Sequence, residues 1–344
     1  MPDTNVTPDD VFEAVERAID LLAAGDARAA ASEYRRLAAK APRAPEVVVL
    51  EGMLASHDGA PEDALRAFEK AASLDVEYAL PLVLAAETCL VDLNDPDRCL
   101  ELCASAAKIT DTDDARAEIL LLEANAWVEL DKDAEVRKRI GRLASLDLTD
   151  PDLSLRAGDL ALEFEDFARA RTWYKKTIEL EPDTSHAWHG LGVVHEAVGE
   201  REPMIEAWLK TLELDHAAPP APWHLSRDAF EREVEKALLS LPQIIRDKLA
   251  DVAVLVEDAP SEDLVREGAD PRLLGLFSGT PTTDRGTLDA QPTDADTIRI
   301  YQRNVEMVVD DGEHLLDEIR ITLIHETAHY FGLEDEDLEG MGLG

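Results

Sequence analysis

Along the first two thirds of the chain, apolar residues return at a nearly constant step. Pairs of core-forming residues four apart occur at Ala30/Tyr34, Ala64/Phe68, Cys99/Cys103, Val136/Ile140, Ala170/Tyr174 and Met204/Trp208. Successive first members are separated by 34, 35, 37, 34 and 34 residues. Side chains four apart share one face of a helix, so each pair marks a helix and the step marks a repeating helical unit. Pro219, Pro220 and Pro222 then forbid a continuing helix, and the pattern changes. Phe230, Val234, Ala237, Leu238 and Leu241 fall at helical spacing between Ser226 and Pro242. Val252, Val254 and Val256 alternate as in a strand, and further short strands are expected at "RLLGLFSGT" and "DTIRIYQRN". Between these two lies a polar loop, "PTTDRGTLDAQPTDAD". The last segment, "DGEHLLDEIRITLIHETAHYFG", predicts one helix of about 18 to 20 residues closed by Gly332.

The clearest repeat starts at Trp188, where Trp188, Leu191, Gly192 and His195 fit a W-x2-L-G-x2-Y pattern and Trp208 takes the aromatic position of the second helix. One period earlier, Gly158 stands where Gly192 does, followed by Ala170, Tyr174 and Pro182. This pattern resembles the tetratricopeptide repeat family over about residues 8 to 216, in six copies of which the third and fourth are degenerate. Small residues let the two helices of a repeat approach, and the large residue fills the gap to the next repeat. The resemblance implies an all-α superhelix whose concave face binds a peptide segment or another protein. The plainer alternative is a spacer. His186, His189 and His195 cluster in the last copy, but His195 fills a packing position and His186 precedes the helix, so they read as ordinary helix residues.

Length and charge narrow the picture. A chain of 344 residues suits two domains. Acidic residues outnumber basic ones 74 to 34, a formal net charge of -40 that repels phosphate backbones and anionic lipid surfaces. Nucleic acid and membrane are therefore not expected as partners. Cys89, Cys99 and Cys103 are too few for a disulfide framework and read as small buried thiols. The first residues lack a signal-peptide pattern and no apolar run reaches about 18 residues, which predicts a cytoplasmic protein.

The candidate chemistry lies in "HETAHYFGLEDED", residues 325–337. His325 and His329 are four apart and can offer both imidazoles to one metal ion, Zn2+ being the expected cofactor. Glu326 points beside the ion, where a general base for an activated water belongs. A third protein ligand is needed, and Gly332 can turn the chain back so that a later residue reaches the metal. Three beyond the glycine stands Asp335, with Glu336 or Glu339 as fallback carboxylates in the same acidic run. His314, eleven residues before His325, reads as a surface residue, and Tyr330 and Phe331 as packing residues.

The order "FEREVEKALLSLP", "VAVLVED", "LLGLFSGTP", "IRIYQRN" and "HETAHYFGLEDEDL" resembles the small bacterial zincin-like metallopeptidase family, whose core is an HExxHxxGxxD motif. The likeness covers about residues 230 to 338. It implies His325, His329 and Asp335 as zinc ligands and Glu326 as catalytic base. It also implies that "IRIYQRN" is the edge strand beside the cleft, on which Tyr301 is a candidate for oxyanion stabilisation. Nine residues follow Asp335, so no Met-turn of the larger metzincins is expected, which favours a narrow substrate range or weak activity.

The expected architecture is multidomain: a tetratricopeptide-repeat superhelix over 1–216, a Pro-rich linker over 217–225, and a small α+β zincin-like domain with a mixed sheet and an active-site helix over 226–344. The expected activity is zinc-dependent peptide hydrolysis, with the repeats recruiting a protein partner or substrate. The rival expectation is a repeat-based adaptor whose zinc domain binds metal or ligand and hydrolyses nothing.

Overall fold

In the computed structural model of the chain, residues 8–279 and 296–332 are described. They form a mostly helical, tetratricopeptide-repeat-like array followed by a small domain with a mixed three-stranded sheet. The chain divides into two compact units, residues 1–182 and 183–344.

The first unit holds five helix pairs: α1 (Pro8–Ala23) with α2 (Ala27–Lys40), α3 (Pro45–His57) with α4 (Pro61–Leu74), α5 (Leu80–Val91) with α6 (Pro96–Ala106), α7 (Asp113–Glu129) with α8 (Asp133–Leu143), and α9 (Pro151–Glu163) with α10 (Phe167–Leu180). The local reasons for these starts and stops are plain in the residues. Asp26, Asp95 and Asp166 cap second helices by accepting the N–H of Ala29, Arg98 and Arg169. Prolines open α3, α4, α6 and α9, where a missing N–H costs nothing.

The repeat step reappears in the backbone. The turn joining the two helices of each pair contains one left-handed residue: Gly25, Gly59, Asn94, Asp131 and Glu165, with φ of 80°, 71°, 50°, 55° and 57°. Each stands five positions before the first member of its signature pair. Glycine takes this conformation freely, whereas a residue bearing a Cβ pays about 1–2 kcal/mol, so Glu165 is held there by the packing of α9 on α10.

The second unit begins with a sixth pair, α11 (Ser185–Ala197) and α12 (Arg201–Ala217), turning at Gly199 with φ 75°. Its core shows why the motif needs glycine. A Cβ on Gly192 would lie 2.1 Å from Trp208 Cδ1, and one on Gly158 or Gly52 would meet Tyr174 or Phe68 at 2.8 or 2.4 Å. The aromatic of each such repeat therefore lies on the glycine of its own first helix.

Then follow α13 (Arg227–Ser240), α14 (Gln243–Lys248), β1 (Ala253–Glu257), α15 (Glu262–Glu267), β2 (Gly275–Ser278), β3 (Thr297–Tyr301), α16 (Gln302–Met307) and α17 (Gly312–Tyr330). The sheet order is β1-β3-β2, with β3 parallel to β1 and antiparallel to β2. The core gathers Phe230 and Val234 of α13, Ile298 and Ile300 of β3, and Leu315, Ile319 and Leu323 of α17. Helical spacing in the helices and alternation in the strand bring these side chains to one layer.

"IRIYQRN" is not an edge strand: β3 runs through the centre of the sheet, and its last three residues already belong to α16. Ile298 and Ile300 are completely buried, as a strand paired on both sides and packed beneath a helix requires. The edge beside α17 is β2. The polar loop expected before β3 lies, but for Asp296, outside the described residues.

The proline-rich connector is hydrogen-bonded along its length. Trp223 Nε1 donates to the Glu306 carbonyl at 2.8 Å, the Leu225 N–H to Glu306 Oε1 at 3.2 Å, and His224 Nδ1 meets Glu306 Oε2 at 2.7 Å. Gln302 donates to the Leu225 carbonyl at 2.7 Å, and Arg303 to the carbonyls of His216 and Ala218 at 3.1 and 2.6 Å. The three cysteines are free and buried, as expected. No helix among the described residues is long and apolar enough to cross a membrane.

Replacing Gly192 with alanine drives a methyl into Trp208, so Gly192→Ala should lose about 1–3 kcal/mol of stability. Urea denaturation checks this, and an unchanged midpoint would show that the two helices do not need their close approach.

Candidate metal centre and groove

Helix α17 presents the histidine motif. Asp311 caps its start, its carboxylate accepting the N–H groups of Glu313 and His314 at 2.8 and 2.9 Å. Those N–H groups, the His314 one foremost, hold the Asp311 carboxyl below the usual carboxylate range. His314 is largely exposed and pairs with Asp311, in keeping with a surface role. At the other end, Gly332 takes φ 76° and its N–H bonds the His329 carbonyl at 2.9 Å, so the chain leaves the helix by a left-handed turn.

Leu315, Ile319 and Leu323 anchor α17 in the core, and this fixes the azimuth of everything else on it. His325 and His329 come out half-buried with their Nε2 atoms 3.0 Å apart, one donating to the other according to tautomer. Their rings lie edge to face at 4.6 Å. Glu326 is buried at 7% exposure. Two imidazole nitrogens this close suit one ion bound at about 2.0–2.1 Å from each, and imidazole is a preferred zinc donor. Asp335, with Glu336 and Glu339, lies outside the described residues, and among the described ones no three metal-capable side chains gather.

Sequence reasoning missed Gly275. A Cβ there would sit 2.6 Å from Glu326 Cγ and 2.9 Å from Oε1, so the first residue of β2 presses its backbone against the glutamate. A lone glycine inside a strand pattern signals such a close approach and could have been read. Phe277 of the same strand packs edge to face on Tyr330, ring centroids 5.6 Å apart, which bears out Tyr330 as a packing residue. Tyr301 is completely buried, its hydroxyl without a hydrogen-bond partner among the described residues. Burial, then the charge of Glu257, pushes that hydroxyl up to about 12, with Arg299 opposing and Glu326 adding. A tyrosine so enclosed does not face a substrate.

The histidines of the last repeat go separate ways. His189 meets Asp270, and His195 meets Glu200 through Nδ1 at 2.6 Å.

In the first unit, a cavity of about 340 Å3 opens among the first helices of three successive repeats. Leu22 of α1, Met53 of α3, and Leu84 and Val91 of α5 give it apolar walls, Phe68 of α4 borders it, and Glu87 and Asp92 add acid. Burial raises the Glu87 carboxyl above its ordinary range, the Glu118 charge adds to this, Arg156 opposes it and Asp92 adds again.

Gly332→Ala forces a Cβ into the left-handed region and should cost about 1 kcal/mol of stability. Urea denaturation reads the loss, and an unchanged midpoint would show that the turn tolerates a side chain.

Residues 249–343 match the family model described as zincin-like metallopeptidase. Residues 15–76 and 155–200 match the one described as tetratricopeptide repeat. No curated protein matches the chain. Among solved structures it is similar to PilF of Pseudomonas aeruginosa at 14% identity and TM-score 0.48, over 59% of this chain and 91% of that one. It is similar to MamA at 22% and 0.40, over 48% and 95%. It is similar to YrrB, a TPR protein with an unusual peptide-binding site, at 16% and 0.39, over 53% and 91%. The chain thus joins tetratricopeptide repeats to a C-terminal segment that matches the zincin-like metallopeptidase family.

Proposed function

We propose that the chain is a zinc-dependent peptidase whose repeats hold a protein partner or substrate. The observation that carries this reading is the convergence of His325 and His329, Nε2 atoms 3.0 Å apart, beside a buried glutamate. His325 and His329 would hold the zinc, with Asp335, three residues past Gly332 in the sequence, as the third ligand. Bound there, zinc supplies Lewis acidity towards a peptide carbonyl and acidifies a water.

Glu326 takes a proton from the attacking water on its carboxylate and returns it to the leaving nitrogen. β2, an edge strand with β3 as its neighbour, offers its outer backbone groups to an extended substrate. Gly275 lets that edge lie against the base without a side chain between them. The partner of the repeats is an unfolded or extended segment that places an apolar side chain between Met53 and Leu84 and a cation near Glu87 and Asp92. Apolar walls with neighbouring carboxylates support that choice.

Glu326→Gln should retain zinc by metal analysis and lose fluorescein-casein hydrolysis by at least about 100-fold. His329→Ala should lose both. Undiminished hydrolysis in Glu326→Gln would sink the mechanism, and full zinc occupancy without any cleavage would favour the adaptor reading. For the groove, an immobilised peptide array should select Leu or Phe flanked by Lys or Arg, and Leu84→Glu should abolish that selection. Selection of acidic peptides, or an unaltered profile in Leu84→Glu, would place the partner elsewhere.

A further inference from the structure

The segment that leads into β2 is held by the last repeat. Arg201, the first residue of α12, donates through Nη2 to the carbonyls of Arg266 and Glu267 at 3.2 and 2.6 Å, closing the end of α15. His189 of α11 meets both carboxylate oxygens of Asp270 through Nε2 at 3.0 Å. Arg272 donates through Nε to Asp215 Oδ2 at 3.0 Å, and through Nη2 to Asp215 Oδ1 at 3.2 Å and to Ser185 Oγ at 2.9 Å. Ser185 in turn donates to Asp215. From the opposite side Asn304 of α16 donates to the carbonyls of Pro271 and Leu273 at 2.8 and 2.7 Å. Beneath them Val265 packs with Met204, Trp208 and Leu212 of α12.

The Arg272 and Asp215 side chains are 23% and 14% exposed, so the forked pair is shielded from solvent, where it is stronger and costly to break. Burial by itself would raise the Asp270 carboxyl, yet His189, the Arg272 N–H and its guanidinium hold it below the usual range. Two residues separate Arg272 from Gly275, and Gly275 touches Glu326. A shift of the segment on the repeat is therefore carried straight to the base.

We propose that the last repeat is part of the hydrolytic site, in which Asp215, Arg272 and His189 act as positioning residues that set β2 against Glu326. The proposal rests on the zinc-peptidase reading for its catalytic consequence and on the clamp for its structural one. Misplacement of a catalytic contact by about 1 Å costs up to about 100-fold in rate. The sixth repeat thus gives both its helices to the site in cis, Ser185 and His189 from α11 and Arg201 and Asp215 from α12, which leaves the earlier repeats for the partner.

The test uses the full chain carrying Asp215→Asn, Arg272→Ala, Arg272→Lys, or the exchange of Asp215→Arg with Arg272→Asp. Hydrogen exchange is followed at Leu276 to Ser278 and, as controls, in β1 and α13; zinc content and fluorescein-casein hydrolysis are measured on the same samples. Asp215→Asn and Arg272→Ala should raise exchange in β2 about tenfold, leave the controls and zinc unchanged, and lower kcat about tenfold with little change in KM. Arg272→Lys and the exchange should recover part of each loss. Unaltered β2 exchange in both single variants, or a rise spread equally over β1 and α13, overturns the clamp. Where β2 responds but kcat does not fall, the catalytic role is overturned. If the parent protein cleaves nothing, the peptidase reading fails by itself, and β2 exchange still decides whether the repeat positions the strand.

Discussion

Between Glu326 and the backbone of β2 there is no space for a side chain, since even a methyl on Gly275 would lie 2.6 Å from the glutamate's Cγ. Much of the C-terminal unit serves that contact. The apolar ridge of α17 fixes the helix against β3, so the glutamate's position follows from Leu315, Ile319 and Leu323. β2 is fixed from two sides, by pairing with β3 and by Phe277 on Tyr330. A short edge strand of four residues has little to hold it otherwise, which is why ion pairs to a neighbouring element matter there.

The repeats obey a second, independent constraint. Two antiparallel helices joined by a short turn can pack closely if the facing residue is small, and Gly52, Gly158 and Gly192 supply that beneath Phe68, Tyr174 and Trp208. In the third and fourth copies the large residue shrinks or loses its ring, to Cys103 and Ile140, and both remain buried. The cavity near Leu84 and Phe68 adjoins the third copy, where the residue sixteen before Cys103 is Glu87 rather than a glycine. Loss of the signature and the opening of a space go together there.

The repeat step, the left-handed stop at Gly332, the length of the final helix and the pairing of His325 with His329 were legible, because each depends on residues close in sequence, whereas the Asp311 cap was found only in the structure. Strand order was not. A run such as "IRIY" carries β-propensity and alternation, but nothing local says whether it is paired on one side or two, and β3 proved to be the central strand. Helices α14, α15 and α16 span six residues each, too few to show a 3.6-residue period. The contact of His189 with Asp270 joins positions 81 apart, and neither residue type announces its partner. Gly275 is the exception that could have been caught, as a glycine where a strand ordinarily wants a branched side chain.

The left-handed turn residues keep a spacing of 34, 35, 37, 34 and 34 through all six copies, although glycine occupies only Gly25, Gly59 and Gly199. Asn94, Asp131 and Glu165 take the same left-handed conformation without being glycine. The three extra residues of the longest step fall after Cys99 and before the next turn, in the stretch that includes the 17-residue α7. Phase is thus carried by the conformation of the turn rather than by one residue type. A turn that fixes handedness without requiring glycine keeps the array in step across copies whose packing residues differ as widely as Cys103 and Trp208.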